Sequence, residues 1–64
     1  MTTLKHVKWS DRLQRYVARV SVKAGDAIER CIYSYYRKEE KAQEWAKAMQ
    51  EALKSNPQAP VVFL

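Results

Sequence analysis

One cysteine, one glycine, one histidine and two prolines in 64 residues leave few ways to build a catalytic or stapled protein. Lone Cys31 cannot close an internal disulfide, and with only His6 beside it no cluster offers a metal site, so packing alone must hold the fold. The same scarcity argues against an enzyme. A nucleophile needs a base within hydrogen-bond reach and an oriented third group, whereas His6 falls on a terminal strand and the Cys31 thiol on the expected core side. No cofactor is called for. The chain has no run of about 18 apolar residues and no charged-then-apolar leader, so membrane spanning and secretion lack support and a cytoplasmic protein in a reducing compartment is expected. Internal repeats and low-complexity stretches are absent as well.

Acidic residues are the other scarce class, seven against twelve Lys or Arg, for a net charge of +5. That excess is not spread evenly. Residues 1–37 hold eight Lys or Arg against three acids, and residues 38–64 hold four of each. The unbalanced charge therefore belongs to one structural layer, and a basic layer backed by a neutral one is the electrostatic footprint of a protein that meets a polyanion.

The basic part reads as strands. Residues 4–9 alternate, with Val7 and Trp9 on one parity and His6 and Lys8 on the other, and Ser10, Asp11, Arg12 and Leu13 supply a turn. In the second strand Tyr16, Ala18, Val20 and Val22 lie on one side, with Arg15, Val17, Arg19 and Ser21 on the other. Gly25-Asp26 between two β-branched runs reads as a hairpin loop. Residues 27–35 make the third strand, whose parity places Cys31 and Tyr33 inward and Ile28, Arg30 and Ile32 outward.

From residue 38 to residue 55 the period becomes helical: Ala42, Trp45, Ala46, Met49, Ala52 and Leu53 follow the i, i+3, i+4, i+7 rule and form one apolar stripe. Lys41, Glu44, Lys47 and Glu51 are spaced three or four apart on the solvent side, each pair able to add about 0.2–0.5 kcal/mol. Asn56-Pro57 ends the helix, because proline has no N–H and disfavours helical geometry in the residue before it. The start lacks a capping residue, although Glu39 and Glu40 suit the helix dipole.

These elements predict an α+β fold, a three-stranded antiparallel sheet packed on one C-terminal helix (βββα), occupying residues 1–56. An isolated three-stranded sheet needs such a cover. A chain of this size buries only about 60% of its unfolded surface, so the apolar residues 57–64 have three roles open to them: closing the core edge, adding a strand, or docking on a partner.

The uncovered sheet face would then present Lys8, Ser10, Arg15, Val17, Arg19, Ser21, Arg30 and Ile32, with Arg12 at the first turn. A ribbon of strands fits the major groove of duplex DNA, about 12 Å wide, and its outward side chains reach base edges and phosphates together. Arg19 and Arg30 are the candidates for guanine edges, Lys8, Arg12 and Arg15 for phosphates, and Val17 and Ile32 for thymine methyls. Tyr33 goes to the core by parity and Tyr36 bridges to the helix, leaving Tyr35 as a candidate for stacking on bases of single-stranded nucleic acid. Against double-stranded DNA stands a second class of partner: a protein, or a second copy of the chain, held by Val17, Ile28 and Ile32 on the open sheet or by the apolar C-terminus.

The segments His6-Val7-Lys8-Trp9 and Arg15-Tyr16-Val17-Ala18-Arg19-Val20, followed by Tyr36 and then by Lys38-Glu39-Glu40-Lys41-Ala42-Gln43-Glu44-Trp45, resemble a known type of domain. It is the three-strand-plus-helix DNA-binding domain of plant ethylene-response transcription factors and of the N-terminal, arm-binding domains of phage and transposon integrases. The resemblance covers roughly residues 5–53. It implies a phage or mobile-element setting and a sheet that enters the major groove, with contacts from Lys8, Ser10, Arg19, Ser21, Arg30 and Ile32. The chain departs from the type at His6 and Ser34, where glycine is usual, and at Ser21 and Ile32, which replace an Arg and a Trp common in the plant branch. Nothing resembles the catalytic core of a recombinase.

Overall fold

The computed structural model describes residues 2–62. Three strands, β1 (Thr2–Ser10), β2 (Arg15–Ala24) and β3 (Ala27–Tyr36), form one antiparallel sheet in that order, and α1 (Glu39–Ser55) follows. This is the βββα arrangement that the periodicities imply. No helix among the described residues is long and apolar enough to cross a membrane.

Both hairpins depend on a residue in the left-handed region. Gly25, at φ 62°, is the first residue of a two-residue loop closed by the Ala24 and Ala27 pair, the position where glycine suits the strand twist. The first turn is longer, spanning residues 11–14. It closes when the Gln14 N–H donates to the Ser10 carbonyl at 2.8 Å, with Gln14 at φ 54°. The Ser10 hydroxyl accepts from the Leu13 N–H, so that side chain serves the turn.

The helix buries Ala42, Trp45, Ala46, Met49 and Leu53 against Ala18, Val20 and Val22 of the central strand, with Val7, Tyr16, Ile32, Tyr36 and Ala52 packed around them. Val20, Val22, Met49 and Leu53 each contribute about 1.5–3 kcal/mol by leaving water, and the alanines less. Lys38 occupies the N-cap without a side-chain hydrogen bond, as the uncapped start suggests, and Glu39 and Glu40 stand in the first turn. On the solvent side Lys41 pairs with Glu44 at 3.9 Å, and Glu51 pairs with Lys54 rather than with Lys47.

The helix lies mainly over β1 and β2, which leaves the inner side of β3 short of cover. The chain beyond the helix supplies it. Ala59 is buried in the core and Val62 packs against it, while the Trp45 indole N–H donates to the Val62 carbonyl at 2.7 Å. The Val62 N–H in turn points at the Met49 sulfur. Ala59 and Val62 thus close the core edge, the first of the three roles open to residues 57–64; Phe63 and Leu64 lie outside the described residues.

One expectation about the sheet is overturned. Pairing runs in a single register from Tyr16↔Tyr36 to Val22↔Arg30, then slips by one to Lys23↔Ile28, so Glu29 has no partner. This bulge reverses the phase of β3 beyond it. Ile28 is outward as expected, but Arg30 and Ile32 face the helix, whereas Cys31 and Tyr33 face away from it. The alternation in the sequence is unbroken, and the phase read from the hairpin loop holds only as far as Ile28.

Candidate nucleic-acid interface

The register sets out the open face row by row. Strand alternation puts cross-strand partners on the same side. Ser10 stands beside Arg15, and the next rows are Lys8–Val17–Tyr35, His6–Arg19–Tyr33, Leu4–Ser21–Cys31 and Thr2–Lys23–Ile28. Four cations and no acid occupy these rows. Arg15, Arg19 and Lys23 recur at every fourth position of β2, about 13 Å apart along the strand, so no two positive charges lie directly opposite each other. Among the described residues none of the four is in an ion pair. The Arg15 guanidinium donates to the neighbouring Gln14 carbonyl at 2.8 Å, and Arg12 is exposed in the turn beside it.

Arg19 is the centre of this surface. It is exposed on the middle strand and lines two shallow depressions, one of about 260 Å³ with His6, Lys8, Val17 and Tyr33, the other of about 230 Å³ with Leu4, Lys5, His6 and Ser21. Val17 is half-buried between Lys8 and Tyr35. Ser21 is only 4% exposed, a small side chain on the central strand flanked in the register by Leu4 and Cys31, so it forms floor rather than a point of contact.

Two residues expected here are elsewhere. The Arg30 guanidinium reaches from the helix side of β3 to the carbonyls of Pro57 and Ala59 and anchors the C-terminal segment. Ile32 packs against the core. Both corrections follow from the bulge at Glu29. In their place the surface gains His6, Lys23 and Tyr33, and Tyr35, the stacking candidate, stands next to Tyr33 on the same face, the two rings 53% and 54% exposed. Lys23 was legible as the continuation of the Arg15, Val17, Arg19, Ser21 alternation. Tyr33 was not, because no residue type announces a bulge.

Replacing Arg30 with alanine should therefore destabilise the domain by about 1.5–3 kcal/mol, the range for hydrogen bonds from a charged group, without weakening DNA binding at temperatures where the variant is folded. Urea denaturation and duplex titration of the same sample measure the two quantities. Lost binding with unchanged stability would return Arg30 to the open face.

Comparison with known protein families, curated proteins and solved structures gives no match for this chain.

Proposed function

We propose that the chain is a double-stranded DNA-binding module that lays the open face of its sheet in the major groove. The observation that carries this reading is the set of Lys8, Arg15, Arg19 and Lys23 on a face without acids, in no ion pair among the described residues, opposite the helix. Cations spread in this way repel one another little in salt, and together they give one face a positive potential that a polyanion can neutralise along its length. Three strands at about 4.8 Å spacing span roughly the width of the groove. In this reading central Arg19 reaches the base edges, and Lys8, Arg12, Arg15 and Lys23 hold phosphates on either side. The resemblance to the ethylene-response and integrase arm-binding type supports the same docking, and suggests a phage or mobile-element setting.

The exposed Leu4 and Ile28 at one end of the face favour the alternative, a protein-binding or self-associating module. Salt separates the two. Neutralising about four phosphates gives a log–log slope near −3.6, so raising salt from 50 to 200 mM should weaken binding roughly 150-fold, whereas an apolar protein contact is nearly indifferent. Titration of a labelled random-sequence duplex by fluorescence anisotropy should show this dependence, with Lys8→Ala lowering the slope by about one for every sequence alike. Absence of binding at low salt would reject the proposal and send the search to a protein partner.

A further inference from the structure

Tyr33 and Tyr35 are left unexplained by a face that only holds duplex phosphates. Neither belongs to the core cluster or packs on another ring among the described residues, and each is more than half exposed on the basic side of β3.

Their placement has a consequence for DNA. In the register Tyr33 is beside Arg19, with His6 beyond it, and Tyr35 is beside Val17, with Lys8 beyond it. The first row thus runs from a ring on β3 to Arg19 on β2, and the second from a ring across Val17 to Lys8 on β1. The depression of about 260 Å³ bounded by Tyr33, Arg19, His6 and Lys8 lies between them. The rings are two residues apart on one strand, about 6.8 Å, twice the 3.4 Å spacing of stacked bases along a DNA strand. They can carry two successive bases only if those bases are unstacked from each other. In a closed duplex the base faces are already covered, so the rings have nothing to stack on.

We infer that the same face also binds single-stranded DNA, with two successive unpaired bases on Tyr33 and Tyr35 and the sugar–phosphate chain running over Arg19 and Lys8. This rests on the DNA-binding reading above and adds a second mode to it. The cations are shared by both modes, and the rings serve the single strand alone. The juxtaposed lanes of positive charge and aromatic surface are the arrangement by which sequence-tolerant single-strand binders work.

The test compares a labelled oligothymidylate of about 15 nucleotides with a random-sequence duplex, using the full chain and two double variants, Tyr33→Leu/Tyr35→Leu and Tyr33→Phe/Tyr35→Phe. The leucine variant should bind the oligothymidylate at least about tenfold more weakly and the duplex within about threefold of the unaltered chain, while the phenylalanine variant keeps both affinities. Equal loss on both probes, or no loss on the single strand, overturns the inference and leaves duplex binding standing. Failure of the unaltered chain on both probes overturns the DNA-binding reading itself. Tighter, ring-dependent binding of oligouridylate than of oligothymidylate overturns the assignment of DNA as the strand. Because both rings lie outside the core, thermal melting of the variants should match that of the unaltered chain, which keeps a folding defect from being mistaken for lost stacking.

Discussion

Arg19→Glu should abolish duplex binding under conditions where the unaltered chain is saturated. Arg19→Ala removes a planar fork that pairs with guanine O6 and N7, a loss of about 1–3 kcal/mol and hence about 5- to 150-fold. The glutamate goes further, because it places a carboxylate at the middle of a surface where Lys8, Arg15 and Lys23 surround it and phosphates must approach. An effect of at least about a hundredfold is expected, with the salt slope reduced as well. Stability should move by no more than about 0.5 kcal/mol, since Arg19 is exposed and takes part in no ion pair among the described residues. Anisotropy titration beside urea denaturation tests both halves. Binding of Arg19→Glu within threefold of the unaltered chain would mean that the open face is not where DNA docks. The contrast with Arg30→Ala is informative, because the two arginines exchange roles: one should change affinity at constant stability, the other stability at constant affinity.

Trp45→Ala should leave the domain largely unfolded at room temperature. Trp45 is 1% exposed at the centre of the helix stripe, and its indole N–H holds the Val62 carbonyl. Truncating a buried tryptophan costs about 3–5 kcal/mol. A 64-residue domain at the usual stability per residue has only about 3–10 kcal/mol in total. With no disulfide to limit the unfolded chain, little reserve remains. Trp45→Phe is the graded control, since it keeps most of the apolar volume and removes the donor to Val62. Its cost should be about 1–3 kcal/mol, with a released C-terminal segment seen as faster hydrogen exchange at residues 59–62. A Trp45→Ala variant that melts with the cooperativity and midpoint of the unaltered chain would show that the core is held together by something other than this contact.

The elements themselves were legible because each rests on a short-range pattern. The alternation in Arg15–Ala24, the helical stripe from Ala42 to Leu53 and the stop at Asn56-Pro57 all concern residues within a few positions of one another. The first two strand positions, Thr2 and Thr3, escaped notice because they are pinned from afar: they pair with Lys23 and Val22, and the Gln50 amide donates to the Thr3 carbonyl. Trp9 shares the parity of half-buried Val7 yet is 43% exposed, its ring edge-on to Tyr16 and its N–H held by Asp11. At the end of an edge strand the helix no longer covers it.

The candidate site divides in the same way. Lys8, Arg15, Val17 and Arg19 were correctly assigned to one face by counting, because β1 and β2 pair in one unbroken register. On β3 counting failed at one residue. Glu29 adds a single position, and every side chain beyond it changes sides, carrying Arg30 and Ile32 to the helix and Cys31 and Tyr33 to the open face.

What the sequence alone determined is therefore the order and kind of the elements, the strand–helix layering and the concentration of positive charge in the sheet, because periodicity and composition are properties of neighbouring residues. What only the tertiary structure decided is the phase of β3, the anchoring of the C-terminal segment by Arg30 and Trp45, and the exposure of Tyr33 beside Tyr35. A side-chain period of two carries no memory of an inserted residue; the ladder's phase is set by pairing with another strand and by which apolar residues the helix and the C-terminal segment can cover.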